Sequence, residues 1–208
     1  MKNIGVLGSG VVGVTLANGL KNAGYDVSLA NRSGHNVENW NGKVGTYKDV
    51  AEKSDIIILA VKGSAAEKVI SSIKDDISGK TILDTTNPIS DQPPEDGVLK
   101  FFTTLDDSLM ERLQKIASEA NFVKCFSSVG NAFMVNPDFD GIKPVMFICG
   151  NSEAAKKETA EILQKLGWDN EDFGGVKSAR AIEPLCILWC IPGIQKNQWS
   201  HAFTLLKK

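Results

Sequence analysis

The hydrophobic residues of this chain fall into short dense runs separated by longer amphipathic stretches. The run Asp55–Val61 is apolar throughout its centre and rich in β-branched residues. Such runs are typical of parallel strands that are buried on both faces. Six strands are predicted in this way: Lys2–Leu7, Asp26–Ala30, Asp55–Val61, Gly79–Asp84, Asn121–Phe126 and Pro144–Cys149.

Helices are predicted between most of these strands. The stretches with helical spacing are Val11–Asn22, Ser64–Asp75, Asp107–Ala120 and Ser152–Leu166. Alternation of strand and helix indicates an α/β protein of the Rossmann type, with a doubly wound, mainly parallel sheet. The segment between the second strand and Thr46 is too short for the usual helix and strand. A turn of helix or an irregular loop is therefore predicted there.

A glycine-rich turn joins the first predicted strand to the first helix. Gly8, Gly10 and Gly13 have the spacing of a dinucleotide-binding loop in that position. Gly8 would permit the tight turn, Gly10 the close approach of a pyrophosphate, and Gly13 the contact of helix with strand. Free N–H groups at the helix N-terminus favour an anion. The predicted pyrophosphate-binding residues are Gly8, Ser9, Gly10, Val11, Val12 and Gly13.

The end of the second strand indicates which dinucleotide would bind. NAD sites usually carry Asp or Glu at this position, whereas Asn31, Arg32 and Ser33 include no acid. The planar guanidinium of Arg32 suits the additional phosphate of NADP, and Asn31 and Ser33 supply short polar groups. NADP is therefore predicted in preference to NAD. The alternatives are that Arg32 is a solvated loop residue or that Glu38, further along the loop, serves an NAD ribose.

Composition restricts the possible partners. The chain has 208 residues and a formal net charge of −2, so neither nucleic acid nor an anionic membrane is predicted as a partner. The run Ile56–Val61 is too short to cross a bilayer. Since Met1 and Lys2 lead directly into a strand, no signal peptide is predicted and a cytoplasmic protein is expected. The four cysteines have no metal-ligand spacing, so core packing and no metal are predicted.

Ligands of such sheets bind beyond the carboxyl ends of the strands. Ala60, Val61 and Lys62 are predicted to contact the riboses, and Lys62 either contacts a phosphate or is solvated. Asn87 and Pro88 are predicted to shape the nicotinamide pocket, or simply to form a turn. A long aperiodic loop follows, to Phe102. The predicted substrate-binding residues, which could instead cap a helix, are Ser127, Ser128, Val129, Gly130 and Asn131.

No acid or base is predicted among these strand ends, so no catalytic residue is assigned. His35 could assist a phosphate, and His201 is predicted to be a surface residue. Reduction of a carbonyl needs a proton donor, whereas hydride transfer between two bound rings needs mainly proximity and orientation. The residues therefore favour a second ring as the hydride acceptor.

The last part of the chain forms a separate pattern. Apolar residues recur at helical spacing from Ala179 to Trp189, and Pro192-Gly193 is predicted to end that helix. Exposed apolar area on a terminal helix needs a cover. We therefore expect a dinucleotide-binding domain over residues 1–175, and a helical cap or dimerisation segment over residues 176–208 that makes the protein a homodimer.

The strand-end motifs resemble those of the NADPH-dependent deazaflavin (coenzyme F-420) reductase family, among predicted dinucleotide-binding oxidoreductases. The matching motifs are GSGVVG at Gly8–Gly13, Asn31–Ser33, Ala60–Lys62, Thr86–Pro88, Lys124–Gly130, Pro144–Gly150 and Ser178–Leu185. The resemblance implies hydride transfer between NADPH and a flavin-like or deazaflavin ring. It extends to the reductase part of membrane metalloreductases, which passes electrons to FAD.

Two other functions remain open from the sequence. One is an NADP-dependent dehydrogenase of a small carbonyl or imine, although relatives of that kind need a further helical domain for their catalytic group. The other is a non-catalytic NADP(H) sensor that reports redox state to a partner, for which the long loop after Asn87 and the apolar terminal helix are suitable.

Overall fold

The computed structural model describes residues 2–208, and strands and helices alternate along them. The strands are β1 (Asn3–Leu7), β2 (Asp26–Ala30), β3 (Lys43–Gly45), β4 (Ile56–Leu59), β5 (Thr81–Asp84), β6 (Asn121–Lys124), β7 (Val145–Gly150) and β8 (Asp169–Asp172). The α-helices are α1 (Val11–Asn22), α2 (Tyr47–Lys53), α3 (Gly63–Ile73), α4 (Leu109–Ile116), α5 (Glu153–Lys165), α6 (Ala179–Ile182) and α7 (Leu185–Lys196).

All eight strands belong to one sheet in the order β3-β2-β1-β4-β5-β6-β7-β8. β6 pairs with β7 antiparallel, and the other neighbouring strands pair in parallel. β1 lies between β2 and β4, with Val6 opposite Leu29 on one side and Ile58 on the other. The chain order reverses at β1, which makes the carboxyl ends of β1 and β4 the place where such sheets bind ligands. The predicted Rossmann-type fold is confirmed.

The core occupies both faces of the sheet. Ile56 and Ile58 of β4 pack with α1 and α5 on one face, whereas Ile57 and Leu59 pack with α2, α3 and α4 on the other. All four side chains are buried. Burial on both faces explains why these strands are continuous apolar runs in the sequence. None of the described helices has both the length and the apolar character that a membrane span requires.

Three elements were not predicted from the sequence. After an irregular crossover, β3 adds three residues to the edge beside β2, so the predicted turn of helix or irregular loop describes only part of this segment. The following helix α2 begins with a capping box of Thr46 and Asp49, a signal that the sequence does contain. β8 consists entirely of Asp, Asn and Glu residues, and only its pairing with β7 makes it a strand.

The predicted long loop after Asn87 has an ordered backbone. The Ser90 N–H donates to the Lys100 carbonyl at 2.8 Å, and the Phe102 N–H donates to the Pro88 carbonyl at 2.9 Å. At its tip, the Gln195 side chain of α7 donates to the Asp96 carbonyl at 2.7 Å. The segment therefore forms a narrow hairpin-like excursion that the C-terminal helix holds in place.

The prediction that Pro192-Gly193 ends the terminal helix was wrong. α7 continues to Lys196, with Pro192 inside it, and ends at Asn197 in the left-handed conformation. The chain then folds back, so that the Trp199 ring packs directly on Gly193 and the Gln198 N–H donates to the Pro192 carbonyl at 3.2 Å. Packing of the tail offsets the hydrogen bond that a proline cannot donate.

Candidate functional site

A cleft of about 360 Å³ opens at the carboxyl ends of β1, β4 and β5. Its lining combines the glycine turn with the two turns that follow β4 and β5. The lining residues are Gly10, Val11, Val12, Ala60, Val61, Lys62, Gly63, Thr85, Thr86, Asn87 and Ile89. The cleft thus brings together half of the predicted cofactor residues, and the others, which include Asn31, Arg32, Ser33 and Pro88, do not line it. Gly63, Thr85 and Thr86 also lie at the strand ends where ligands are expected, although no binding role was assigned to them, and Ile89 was not predicted to line the site.

The glycine turn is fixed by close backbone contacts. Gly8 has a φ of +126°, and a Cβ there would collide with the Ala60 carbonyl. Its N–H donates to the Ala30 carbonyl at 2.9 Å, which joins the turn to the end of β2. A Cβ at Gly13 would collide with the Gly8 carbonyl. Since these contacts involve backbone atoms, side-chain motion cannot relieve them.

Gly10, in contrast, faces open space. No atom lies within 4 Å of the position that a Cβ at Gly10 would take. α1 begins immediately afterwards with no side-chain cap and no acidic residue in its first turn. Val11 at its start is 65% exposed. Open space beside uncapped helical N–H groups and a partial positive charge fits a pyrophosphate.

Arg32 is exposed at the end of β2, just beyond the glycine turn. The Asn31 carboxamide oxygen accepts hydrogen bonds from the Ser33 N–H at 3.0 Å and the Gly34 N–H at 2.6 Å, and its Nδ2 donates to the His35 carbonyl at 2.8 Å. Asn31 therefore shapes the loop. Within residues 2–208, the guanidinium of Arg32 makes no hydrogen bond or ion pair, so it is free to contact a bound anion.

The turns after β4 and β5 meet across the cleft. The Lys62 ammonium forms an exposed ion pair with Asp91 at 2.5 Å, which joins the cleft rim to the hairpin-like excursion. The Asn87 Nδ2 donates to the Ser127 carbonyl at 2.8 Å. The Asn87 Oδ1 and the Ser127 Oγ are buried without a hydrogen-bonding partner. Pro88, next to Asn87, is buried. Lys62 is the one ionisable side chain among the residues that line this cleft.

The predicted substrate-binding residues lie deeper than expected. Ser127, Ser128 and Val129 are buried, and none of them lines the cleft. Gly130 lies beneath the Trp189 indole, where a Cβ would come within 2.7 Å of the ring. Asn131 begins a short 3-10 helix, Asn131–Phe133, without a side-chain cap. The C-terminal segment thus covers this turn in the isolated chain.

Cys125, Cys149 and His201 pack within the fold and do not line the cleft. The Cys125 and Cys149 thiols are buried, and burial raises the pKa of Cys149 to about 12. The His201 imidazole stacks on Trp189, and its Nε2 lies 2.9 Å from the Trp189 carbonyl, so His201 is half-buried rather than a surface residue. Across residues 2–208, no group of three His, Cys, Asp or Glu side chains could hold a metal ion.

A buried ionic cluster, defined here as Lys124, Asp84 and Glu183, lies behind the cleft and was missed from the sequence. The Lys124 ammonium is 2.7 Å from the Asp84 Oδ2 and 3.0 Å from the Glu183 Oε1. Burial lowers the pKa of Lys124, but the two carboxylates outweigh that effect and raise the pKa above its usual range. The only signal in the sequence was a lysine at the end of an otherwise apolar strand.

The fold, the glycine turn and the open helix N-terminus are those of a Rossmann-type dinucleotide-binding protein. Residues 3–88 match the family described as NADP oxidoreductase coenzyme F420-dependent. The resemblance predicted from the strand-end motifs is thereby confirmed.

Two curated relatives and one solved structure align with most of the chain. The rat metalloreductase STEAP3 is 25% identical over 91% of this chain, which spans only 38% of that protein. The F420-dependent NADP reductase of Methanothermobacter marburgensis is 26% identical, with 86% of each chain covered. A crystal structure of a candidate F420-dependent NADP reductase from Arthrobacter sp. FB24 has a TM-score of 0.91, 26% identity and full coverage of both chains.

Proposed function

We propose that the protein transfers a hydride between NADP(H) and a flavin-like or deazaflavin ring. One observation carries this proposal: the cleft beside the glycine turn is lined by apolar and neutral polar groups, with Lys62 as its single ionisable side chain. Hydride transfer between rings requires that the protein orient two partners and exclude water, and it requires no protein acid at the reacting carbon.

We infer that the cofactor is held at three places. The glycine turn Gly8–Gly13 and the N-terminus of α1 would take the pyrophosphate, because Gly10 faces open space there. Arg32, with Ser33 beside it, would take the 2′-phosphate. Ala60, Val61 and Lys62 would contact the ribose side, and Asn87 with Pro88 would enclose the nicotinamide. When bound, the nicotinamide supplies or accepts the hydride.

The acceptor is proposed from two considerations. The exposed Val11 and the half-buried Val12, Val61 and Ile89 give the cleft an apolar surface on which a flat ring could lie. The curated relative aligned over 86% of both chains is an F420-dependent NADP reductase, which makes a deazaflavin the first acceptor to test. Ser127–Asn131 remain predicted acceptor contacts, and they would need the covering C-terminal segment to shift.

Reduction of a small carbonyl or imine is the second candidate. Among the cleft residues, only Lys62 could supply a proton, and its ammonium is paired with Asp91 at the rim. That reaction would therefore depend on Lys62, whereas ring-to-ring hydride transfer would not. A non-catalytic NADP(H) sensor would bind the cofactor through the same residues without turnover.

Oxidation of NADPH by the purified chain should distinguish these functions. The panel contains FMN, FAD, riboflavin, a deazaflavin and small carbonyl compounds, each assayed with wild type and with Lys62→Met. We expect turnover with a flavin or deazaflavin that survives the Lys62→Met substitution. Turnover confined to carbonyl compounds and abolished by Lys62→Met would support the second candidate. Tight NADPH binding with no turnover on any acceptor would support the sensor.

Arg32→Ala is expected to weaken NADPH binding by roughly 1–3 kcal/mol, the scale of a lost charge-assisted hydrogen bond. NADH lacks the 2′-phosphate, so its affinity should be unchanged. Titration calorimetry with both cofactors measures the difference. Lys157→Ala, which removes an exposed cation from α5, is the matched control and should affect neither cofactor. Equal weakening of NADPH and NADH by Arg32→Ala would contradict the assignment of NADP.

We infer further that residues 176–208 act as a cap on the dinucleotide-binding domain of residues 1–175. The Trp189 N–H donates to the His201 carbonyl at 2.9 Å, and the Phe203 carbonyl accepts from the Val145 N–H at 3.0 Å, so α7 and the tail lie along the domain. Leu188 and Ile194 remain 55% and 38% exposed on α7. A homodimer formed through this face stays a prediction, which the solution mass from light scattering would test.

A further inference from the structure

The buried ionic cluster of Lys124, Asp84 and Glu183 is directly connected to the cleft. Besides its two carboxylates, the Lys124 ammonium donates to the Thr86 carbonyl at 2.8 Å. Lys124 and Asp84 are fully buried, and Glu183 is 1% exposed. Lys124 thus has three oxygen neighbours within 3.0 Å, one carbonyl and two carboxylate oxygens. One of those partners, Thr86, lines the cleft.

Each carboxylate also binds backbone groups. The Asp84 Oδ1 accepts from the Thr86 N–H at 2.9 Å and the Thr86 hydroxyl at 2.7 Å. The Glu183 oxygens accept from the first two N–H groups of α4, those of Leu109 and Met110, at 3.0 Å each. Glu183, the residue directly after α6, thereby supplies the anion for the N-terminus of α4. The cluster thus connects β5, β6, α4 and the end of α6, and it contacts the cleft through the turn after β5 that contains Thr86.

The segments at the carboxyl ends of β5 and β6, called the β5 and β6 exits here, are joined by two hydrogen bonds, and each segment donates one of them. Lys124 from β6 binds the carbonyl of Thr86 after β5, and Asn87 after β5 binds the carbonyl of Ser127 after β6. Between Lys124 and Ser127, Phe126 has a φ of +54°, a left-handed conformation that costs energy for a bulky side chain. Such a backbone persists only where its surroundings fix it strongly.

We propose that Lys124 and Glu183 are positioning residues that fix the Thr86–Asn87–Pro88 turn and, through it, the nicotinamide end of a bound NADP(H). This inference rests on the proposed function, because it assumes that the nicotinamide lies against Asn87. Neither residue lines the cleft, and the turn that they hold is separate from the glycine turn Gly8–Gly13. Their effect should therefore be confined to the nicotinamide and leave the adenosine and pyrophosphate contacts intact.

A second buried lysine provides a matched control. Lys156 on α5 is 5% exposed and also binds two carboxylates, Glu153 at 2.7 Å and Asp172 at 2.6 Å. Neither Lys156 nor its partners line the cleft. Lys156→Met therefore removes a buried lysine and its two ion pairs without touching the β5 and β6 exits. A general loosening of the fold should affect both lysine variants alike.

The test compares the affinities of NADPH and 2′-phospho-ADP-ribose, which is the same molecule without its nicotinamide. Dissociation constants are measured by calorimetry for wild type, Lys124→Met, Glu183→Gln and Lys156→Met. In the two cluster variants, the preference for NADPH over the fragment should fall by about 2- to 10-fold, the size of one misplaced hydrogen bond. Fragment binding should be unchanged, and Lys156→Met should keep the wild-type preference.

Three outcomes would overturn the inference: an unchanged preference in both cluster variants, an equal loss for NADPH and the fragment, or the same shift in Lys156→Met. If Lys124→Met does not fold, Glu183→Gln, which keeps the shape of the side chain and the Lys124–Asp84 pair, decides alone. Failure of wild type to bind NADPH would instead refute the proposed function, so the two failures are distinguishable.

Discussion

Replacing Gly13 with alanine is expected to lower the free energy of unfolding by about 3 kcal/mol or more. The new Cβ would collide with the Gly8 carbonyl, a backbone atom held by the contact of Gly8 with Ala60. The first helix would have to move away from β1, which carries the buried residues Val6 and Leu7. Overpacking of backbone against backbone cannot be relieved by a rotamer change, so the loss should lie at the upper end of the usual range.

The same substitution at Gly10 should affect NADPH binding more than the stability of the fold. Open space surrounds the Cβ position, and the backbone at Gly10 has a φ of −73° that alanine readily adopts. Since Gly10 is the N-cap of α1, where alanine is less favourable, a stability loss of up to about 1 kcal/mol is expected. NADPH affinity should fall by about 1–3 kcal/mol, because the methyl group occupies space that the pyrophosphate needs.

Urea unfolding of the free protein and NADPH calorimetry together check this pair of variants. Gly13→Ala should be the less stable variant, and Gly10→Ala should be the folded variant with impaired binding. If Gly10→Ala binds NADPH as tightly as wild type, the pyrophosphate does not lie beside Gly10 and the proposed cofactor site is wrong. If Gly13→Ala is as stable as wild type, the close approach of the helix to the glycine turn does not limit stability.

Glu111→Ala is the second substitution with a large expected effect, and its cost should depend on pH. Arg180 binds the Glu111 carboxylate in a bidentate manner at 2.8 and 2.9 Å, and the Ser108 N–H and hydroxyl donate to it at 3.0 and 2.8 Å. Arg180 and then Ser108 lower the pKa of Glu111 to about 2, against the opposing effect of burial. These contacts fix the N-terminus of α4 against α6.

The expected loss at neutral pH is about 3 kcal/mol, of which about 2 come from the ion pair after solvent screening and about 1 from the helix cap. Because the pKa is lowered in the folded protein, the ion-pair part is fully present above the usual pKa of 4.5 and is lost as the pH falls toward 2. The difference in unfolding free energy between wild type and variant should therefore shrink in that window.

Urea unfolding at several pH values between 7 and 3 measures this dependence. Glu153→Ala is the control, because that side chain also pairs with a buried lysine but is 86% exposed. Its cost should stay below about 1 kcal/mol, as for other exposed ion pairs. A Glu111→Ala penalty that does not change with pH would show that the carboxylate charge contributes nothing and that only packing is lost.

The sequence alone determined the first βαβ unit and its function class. The predicted bounds of α1 and β2 agree with the structure residue for residue. The signals were local: helical periodicity over one stretch, a short apolar run of strand length over another, and glycines at a spacing that only a few turns require. The absence of an acid after β2 could also be seen directly in the sequence, because it concerns a single position in the chain.

The tertiary structure decided what depends on contacts between distant segments. β8 is a strand because β7 supplies its partner, and α7 passes through Pro192 where the tail packs on Gly193. Gly130 lies beneath the Trp189 ring, 59 residues further along the chain. Lys124, Asp84 and Glu183 are separated by 40 and 59 residues along the chain, and each is an ordinary charged residue on its own. Only their burial together makes them a cluster. A charged side chain removed from water must be paired, and the sequence does not show which charged residues are buried.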